Sequence, residues 1–411
     1  KELLSLSDLN KGFPGDEDAL KGFPRLAWED ANNFTFTHSG GYYRHNLSEG
    51  KTTKLSAIFE GATFTETAKS GHVAFVKNHQ LQIVKNGSMV PYYIGEDGSK
   101  DITYGKYAHR REFGITKGLF WAPGGHKLAF YRVDRSMVTD YPLVDYSEMP
   151  AKPNPIKYPM AGQKSEYGKV GVYNLKKGRT SFLGLIKRKF YLKTGGEKDD
   201  HYLTNVTWGP NEEKIYIAEV NRAQNHMWFN EYSVKGKSKI RTIFEEKHDK
   251  WVEPENPGFF PTKDENTMLW MSEKNGFMNL YKVNMKDGNW TPLTNFNFPI
   301  TSFLGINDTG TYAYVQATGK DGREKHIYSV SLKELNVTHF TSQYGTHNGQ
   351  VSSSGNYILD VYSNITTPKI TQLINTESGS FKVLKDSKNR LEGHQTATME
   401  LGELTSKSGE K

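Results

Sequence analysis

The residues whose types and spacing could do chemistry form one short run, His109-Arg110-Arg111-Glu112. Phe113-Gly114-Ile115 closes it, and Phe120-Trp121 follows a few residues later. A carboxylate held against an aromatic wall and partly desolvated binds a cationic group, such as a peptide's free α-ammonium, through charge-assisted hydrogen bonds. The same spacing lets Glu112 pair with Arg110 or Arg111 on the surface, where an ion pair contributes little. Spacing alone leaves both readings open.

Other chemistry is excluded more firmly. The 411 residues contain no Cys, so there is no thiol nucleophile, disulfide or cysteine-ligated metal. No G-x-S-x-G elbow, H-E-x-x-H pair or G-x-x-x-x-G-K-[ST] loop occurs. The 13 His are scattered, none at i, i+4 from another, so neither a metal site nor a cofactor is expected. Carboxylates are plentiful, but a glycosidase pair is defined only by convergence in space. No catalytic residue is therefore expected in this chain.

Composition bounds the rest. With 36% hydrophobic and 13% aromatic residues, the chain has enough buriable surface to fold. The net charge is +7, and its densest patch runs through Lys176, Lys177, Arg179, Lys187, Arg188, Lys189, Lys193 and Lys198 against Glu197 alone. Nucleic-acid binding there would fall steeply with salt. Solvated hairpin tips are the expectation, with no nucleic-acid partner. No stretch approaches the roughly 18 apolar residues of a membrane helix. The start, Lys1-Glu2-Leu3-Leu4, has no hydrophobic signal core, so any leader is expected to have been removed.

The elements that must position Glu112 are read from a repeated phrase: an aromatic or apolar pair, a turn rich in Pro, Gly, Asn and Asp, then an alternating strand. Phe120-Trp121-Ala122-Pro123-Gly124-Gly125 leads into Leu128-Ala129-Phe130-Tyr131, and Thr207-Trp208-Gly209-Pro210-Asn211 into Ile215-Tyr216-Ile217. Copies return at Phe259-Phe260-Pro261-Thr262, Ile306-Asn307-Asp308-Thr309-Gly310 and Val351-Ser352-Ser353-Ser354-Gly355, with weaker ones at Ala27-Trp28-Glu29-Asp30 and Thr67-Ala68-Lys69-Ser70-Gly71. Starts at 207, 258, 305 and 349 are 51, 47 and 44 residues apart, the length of one four-stranded propeller blade. One blade cannot bury both faces, so blades must stack and the ring must close. The expected fold is all-β, a seven- to eight-bladed β-propeller of four-stranded antiparallel blades. Seven units are recognisable, and degenerate copies would make eight.

The expected organisation is an N-terminal segment over 1–22, with room for a short helix or two around Ser5 to Leu20, a propeller over 23–390 and a linker over 391–411. The units near 120 and 207 stand 87 residues apart. The excess lies in an insertion near 134–168, where Pro142, Pro150, Pro153, Pro155 and Pro159 rule out regular strand pairing on this reading. A second irregular segment, 99–114, precedes the same blade. Insertions in a repeat are where individual function tends to be placed.

Several phrases together are specific. Tyr107-Ala108-His109-Arg110-Arg111-Glu112-Phe113-Gly114-Ile115, the Phe120 to Tyr131 phrase, Met137-Val138-Thr139-Asp140-Tyr141-Pro142-Leu143-Val144 and Tyr158-Pro159-Met160-Ala161-Gly162 resemble the N-terminal domain of the dipeptidyl peptidase IV family. The likeness is strongest to exported Bacteroidetes enzymes of the prolyl tripeptidyl peptidase kind. It continues through Val206-Thr207-Trp208, Asn221-Arg222-Ala223-Gln224-Asn225 and Ser272-Glu273-Lys274-Asn275-Gly276-Phe277.

The resemblance implies an eight-bladed propeller followed, beyond the region near Met399-Glu400-Leu401-Gly402-Glu403, by an α/β-hydrolase domain with a Ser-Asp-His triad. It implies a serine exopeptidase that releases di- or tripeptides ending in Pro or Ala from free amino termini, exported to the periplasm or cell surface. The implied partners are such peptides, the hydrolase domain and, as one option, a second copy in a homodimer. Taken alone, this chain is then expected to cleave nothing. The family's dipeptidyl peptidases grip the α-ammonium with two adjacent glutamates. Counting back from Trp121, the second falls on Glu112 and the first on Arg111. A single carboxylate is similar to the tripeptidyl branch, where the amino terminus sits one residue further out. The family's arginine that contacts a substrate carbonyl has no counterpart, since the region around Arg44 does not match its motif.

A rival reading is a non-catalytic propeller used as a protein- or glycan-binding platform. It predicts tight binding by this chain alone, whereas the peptidase reading predicts a downstream G-x-S-x-G in the same reading frame.

Overall fold

A computed structural model of the chain describes residues 3–13, 19–184 and 201–409. Each copy of the repeated phrase becomes the first turn of a sheet, because its alternating apolar residues pack while its Gly, Pro and Asn turn the chain. Thus Trp208 ends the strand His201–Trp208, Gly209-Pro210-Asn211 follow, and Ile215, Tyr216 and Ile217 lie in Lys214–Asn221. Among the described residues seven such sheets succeed one another, and the fold is all-β, a seven-bladed propeller of small antiparallel sheets with almost no helix.

Five of the sheets have four strands in sequence order, the third has five and the fifth has three. The fifth is short because its copy of the phrase makes only one bridge, Phe259 to Leu269, with hydrogen bonds of 3.0 and 2.7 Å. Pro257 and Pro261 flank that bridge and have no N–H to donate.

The chain divides into two units. In the first, which holds sheets one to four, neighbouring sheets share apolar faces. Tyr42 and Leu55 of the first pack with Val73 and Phe75 of the second. Leu81 and Ile83 of the second meet Leu128 and Phe130 of the third. Ala129, Tyr131 and Val133 of the third meet Leu203, Ile215 and Ile217 of the fourth. The helix Leu6–Lys11, capped by the Ser5 hydroxyl accepting the Asp8 N–H at 3.1 Å, buries Leu9 against Phe34, Phe36 and Tyr43. In the second unit, Leu269 and Leu280 pack with Ala313 and Val315, and Tyr314 and Ile327 with Ile358 and Ile374. Each large side chain so buried stabilises by roughly 1.5–3 kcal/mol.

The proline-rich insertion departs from the expectation that it would form no paired strands. Asp140–Tyr141 pairs Ile156–Lys157, and Val144–Asp145 pairs Lys152–Pro153, giving a narrow arm. Pairs of two residues tolerate Pro153 because a neighbour carries the bond, Asn154 N–H donating to the Leu143 carbonyl at 2.8 Å. Of the basic patch, Lys176 and Lys177 lie exposed in the hairpin turn before Arg179–Phe182, while Lys187, Arg188, Lys189, Lys193, Glu197 and Lys198 lie outside the described residues.

The third sheet positions the candidate site. Its strand Lys127–Asp134 pairs on one side with two separate pieces, Leu119–Trp121 and Ile102–Tyr104. The intervening residues, 105–118, are therefore an excursion looped out of one strand position. Its neck is narrow: Gly105 N–H donates to the Tyr131 carbonyl at 2.8 Å, and Tyr131 N–H to the Gly118 carbonyl at 3.0 Å. Only glycine fits at 118, where a Cβ would stand 2.0 Å from the Lys106 carbonyl oxygen.

Because backbone rather than a flexible side chain opposes that Cβ, Gly118→Ala is expected to cost about 3 kcal/mol. Gly22→Ala, where no atom lies within 4 Å, should cost under about 0.5 kcal/mol. Denaturant midpoints of the two variants check this, and equal midpoints would contradict the tight neck.

Candidate functional site

The tip of the excursion is a turn of the wrong hand for L-residues. His109, Arg110 and Arg111 have φ of 52°, 51° and 71°, and Phe113 and Gly114 have 56° and 66°. Glu112 alone, at φ −54° and ψ 158°, is extended between them. Each non-glycine residue held left-handed costs roughly 1–2 kcal/mol, so surrounding contacts must impose the conformation.

Those contacts come from far along the chain. The carboxylate of Glu166, 4% exposed, accepts the backbone N–H of His109 through Oε1 and Arg135 Nε at 2.7 Å through Oε2. The buried His109 ring accepts the Leu203 N–H through Nε2 at 3.0 Å, so its proton sits on Nδ1, 3.5 Å from the Glu166 carboxylate. Burial pushes the His109 pKa down from 6.5 to about 4, outweighing the upward pull of Glu166. On the far shoulder, the Thr204 hydroxyl has the Phe113 carbonyl at 3.3 Å and the Asn205 Oδ1 at 2.9 Å as acceptors for its single proton. Gly114 lies against the backbone of Glu255, where a Cβ would be 2.2 Å from the carbonyl oxygen.

Arg110 and Arg111 turn away from Glu112. The Arg110 guanidinium lies 4.9 Å from the Tyr158 ring centre and donates to the Lys157 carbonyl at 3.1 Å, and Arg111 lies 4.5 Å over Tyr107. The Glu112 carboxylate is exposed and makes no hydrogen bond or ion pair among the described residues. The surface-pair alternative is thus not what forms. The carboxylate is also not the partly desolvated group that spacing suggested. Phe113 and Ile115 instead join Phe120, Trp121 and Trp208 in lining a cavity of about 390 Å³ beside the tip, and Glu112 is not part of its wall.

Arg44 is bound bidentately by Glu29 at 2.7 and 2.9 Å. Groups of His, Asp and Glu able to hold a metal ion do not occur among the described residues. No helix there is long and apolar enough to cross a membrane. Glu166, Arg135 and Thr204 went unnoticed in the sequence because they act at separations of 57, 28 and 91 residues, with no local pattern to mark them.

The chain is similar to known proteins over most of its length. The family described as the dipeptidyl peptidase IV (DPP IV) N-terminal region matches residues 23–369. Dipeptidyl aminopeptidase B of Saccharomyces cerevisiae is 24% identical over 91% of this chain and 47% of its own length. A protein of Tuber melanosporum bearing the same name is 24% identical over 90% of this chain and 44% of its own. The chain thus spans less than half the length of these relatives. The crystal structure of a protein from Bacteroides ovatus, described as a dipeptidyl aminopeptidase IV, superposes with a TM-score of 0.86 at 27% identity, over all of this chain and 59% of that one. Dipeptidyl peptidase 4 of Porphyromonas gingivalis shares the fold, with a TM-score of 0.71 at 20% identity over 88% of this chain and 50% of that one.

The buried His109 generates a pH dependence. Its folded pKa lies below its unfolded one, so the unfolded chain takes up the proton first. The stability this ring contributes is present above pH 6.5 and is lost as pH falls through about 4. The loss is on the order of 3 kcal/mol. Urea midpoints measured from pH 7 to pH 4 should fall less steeply for His109→Gln than for the unmodified protein, and parallel curves would contradict the buried neutral ring.

Proposed function

The chain belongs to the dipeptidyl peptidase IV N-terminal region family, and from that premise we propose that it is the substrate-gating domain of an exported serine exopeptidase. The enzyme removes two or three residues ending in Pro or Ala from peptides with a free amino terminus. Bond breaking belongs to an α/β-hydrolase domain elsewhere in the protein, and Glu112 binds the α-ammonium.

The observation that carries this reading is the state of Glu112. Its carboxylate stands at the tip of an imposed turn, unpaired among the described residues, with the guanidinium groups of Arg110 and Arg111 committed to tyrosines. A carboxylate presented in this way is a ready acceptor for an ammonium group. It is exposed in this chain, so the desolvation that strengthens the contact comes from the hydrolase domain and the bound peptide covering it. With the anchor at a fixed distance from the nucleophile, ammonium binding measures peptide length. Arg111 stands where dipeptidyl peptidases of the family place a further glutamate, which favours the longer product. An acetylated amino terminus offers no charge and leaves Glu112 without a partner.

In the full-length protein, Glu112→Gln is expected to lower kcat/KM for free-amine peptides by roughly 10- to 100-fold, the range for losing hydrogen bonds to a charged group. The N-acetylated form of the same peptide should be cleaved equally poorly by both proteins. Unchanged kcat/KM on the free-amine peptide would remove Glu112 from the role of anchor.

A further inference from the structure

If Glu112 is the anchor, something must hold the tip that carries it, and the ties are few. Tyr107 and His109, which lead into the turn, are gripped by one ion pair, the buried Glu166 with the partly exposed Arg135. Glu166 takes the His109 N–H, and Arg135, bound to the other oxygen of Glu166 at 2.7 Å, also donates to the Tyr107 carbonyl at 3.4 Å. The exit is gripped by Thr204, next in sequence to the Leu203 whose N–H meets the His109 ring. The strand His201–Trp208 thus holds both shoulders of the tip from consecutive residues, and the Glu166–Arg135 pair determines how the first shoulder enters it. The tip also closes on itself, with the Arg111 N–H on the Ala108 carbonyl at 3.1 Å and the Glu112 N–H on the His109 carbonyl at 2.9 Å, but a left-handed run of three non-glycine residues is unfavourable and needs the distant bonds to impose it.

We propose that Glu166 is a positioning residue for Glu112. Acting through the His109 N–H and through Arg135, it fixes the left-handed turn and with it the distance at which a peptide's ammonium is held. This rests on the reading of Glu112 as the ammonium anchor. Glu166 is itself buried and engaged, so it does not touch substrate. It acts on peptide binding and on the choice of scissile bond rather than on the chemical step.

The experiment is a double-mutant cycle in the full-length protein, with enzyme concentration set by active-site titration. The substrate is a free-amine peptide with proline at both its second and third positions, and released products are identified by mass. Glu166→Ala is expected to lower kcat/KM by roughly ten- to a hundredfold, mainly through KM, the scale of a misplacement of about 1 Å. Products of a second length should appear. In a Glu112→Gln background the same substitution should cost less than about twofold, since there is no anchor left to misplace. Glu166→Gln, which keeps an oxygen for the His109 N–H, should recover most of the loss.

Equal fold-losses in both backgrounds with a single product length would overturn the inference while leaving the anchor reading intact. A Glu112→Gln variant with undiminished kcat/KM would remove the anchor reading and the inference together. Should Glu166→Ala fail to fold, Glu166→Gln and Arg135→Lys carry the same cycle, and the absence of coupling to Glu112 in both would overturn the proposal.

Discussion

Two backbone hydrogen bonds at Tyr131 govern everything that the excursion does. Gly105 and Gly118 meet the carbonyl and the N–H of one residue, so fourteen residues leave the third sheet and return to it at a single point. Tyr131 is an effective anchor because it is fully buried and its own hydroxyl donates to the Leu203 carbonyl at 3.0 Å, in the next sheet. Burial also raises its pKa far above the ordinary tyrosine value, so the phenol stays neutral and keeps that bond. A loop with so narrow a neck can hold a strained tip because its ends contribute little freedom. The same fourth-sheet strand then receives the tip, through Leu203 and Thr204.

Charge is arranged around the tip in two layers. The inner layer is more enclosed: the buried Glu166 carboxylate with the partly exposed Arg135, beside the neutral His109. An ion pair with a buried member is weak evidence for stability, but removing Arg135 leaves the Glu166 charge buried and uncompensated, which makes the geometry hard to abandon. The outer layer is wet. There Arg110 and Arg111 lie on Tyr158 and Tyr107, contacts worth about 0.5–1 kcal/mol at exposed sites. That modest preference is enough to turn both guanidinium groups from Glu112, because an exposed ion pair competes with equally little. Tyr158 belongs to the proline-rich insertion, so the arm and the excursion, both additions to the third sheet, meet at Arg110.

The chain shows how much variation a blade accepts when its neighbours cover its faces. The fifth sheet manages with three strands and one bridge, and the third carries five strands with two insertions. Stability in such an array resides mainly in nearest-neighbour contacts, so an insertion that leaves the shared apolar faces intact is tolerated. Here those faces are Phe130 toward the second sheet and Tyr131 toward the fourth, successive residues of one strand pointing opposite ways. An excursion at 105–118 is therefore accommodated without disturbing either.

What the sequence determined by itself was periodic or local. The seven copies of the turn phrase, with apolar alternation after each, were enough for the class of fold, because a strand's faces and a turn's glycines are written within ten residues. The cluster around Glu112 was also visible, as a run of residue types next to aromatics. Tertiary structure alone decided that 105–118 leaves a strand and returns, that His109 to Arg111 turn left-handed, and that both arginines face tyrosines rather than Glu112. Those outcomes depend on Tyr131, Glu166 and Thr204, whose bonds to the excursion span up to 91 residues. Such a contact is selected by which sheets pack together, and no window of sequence contains that information.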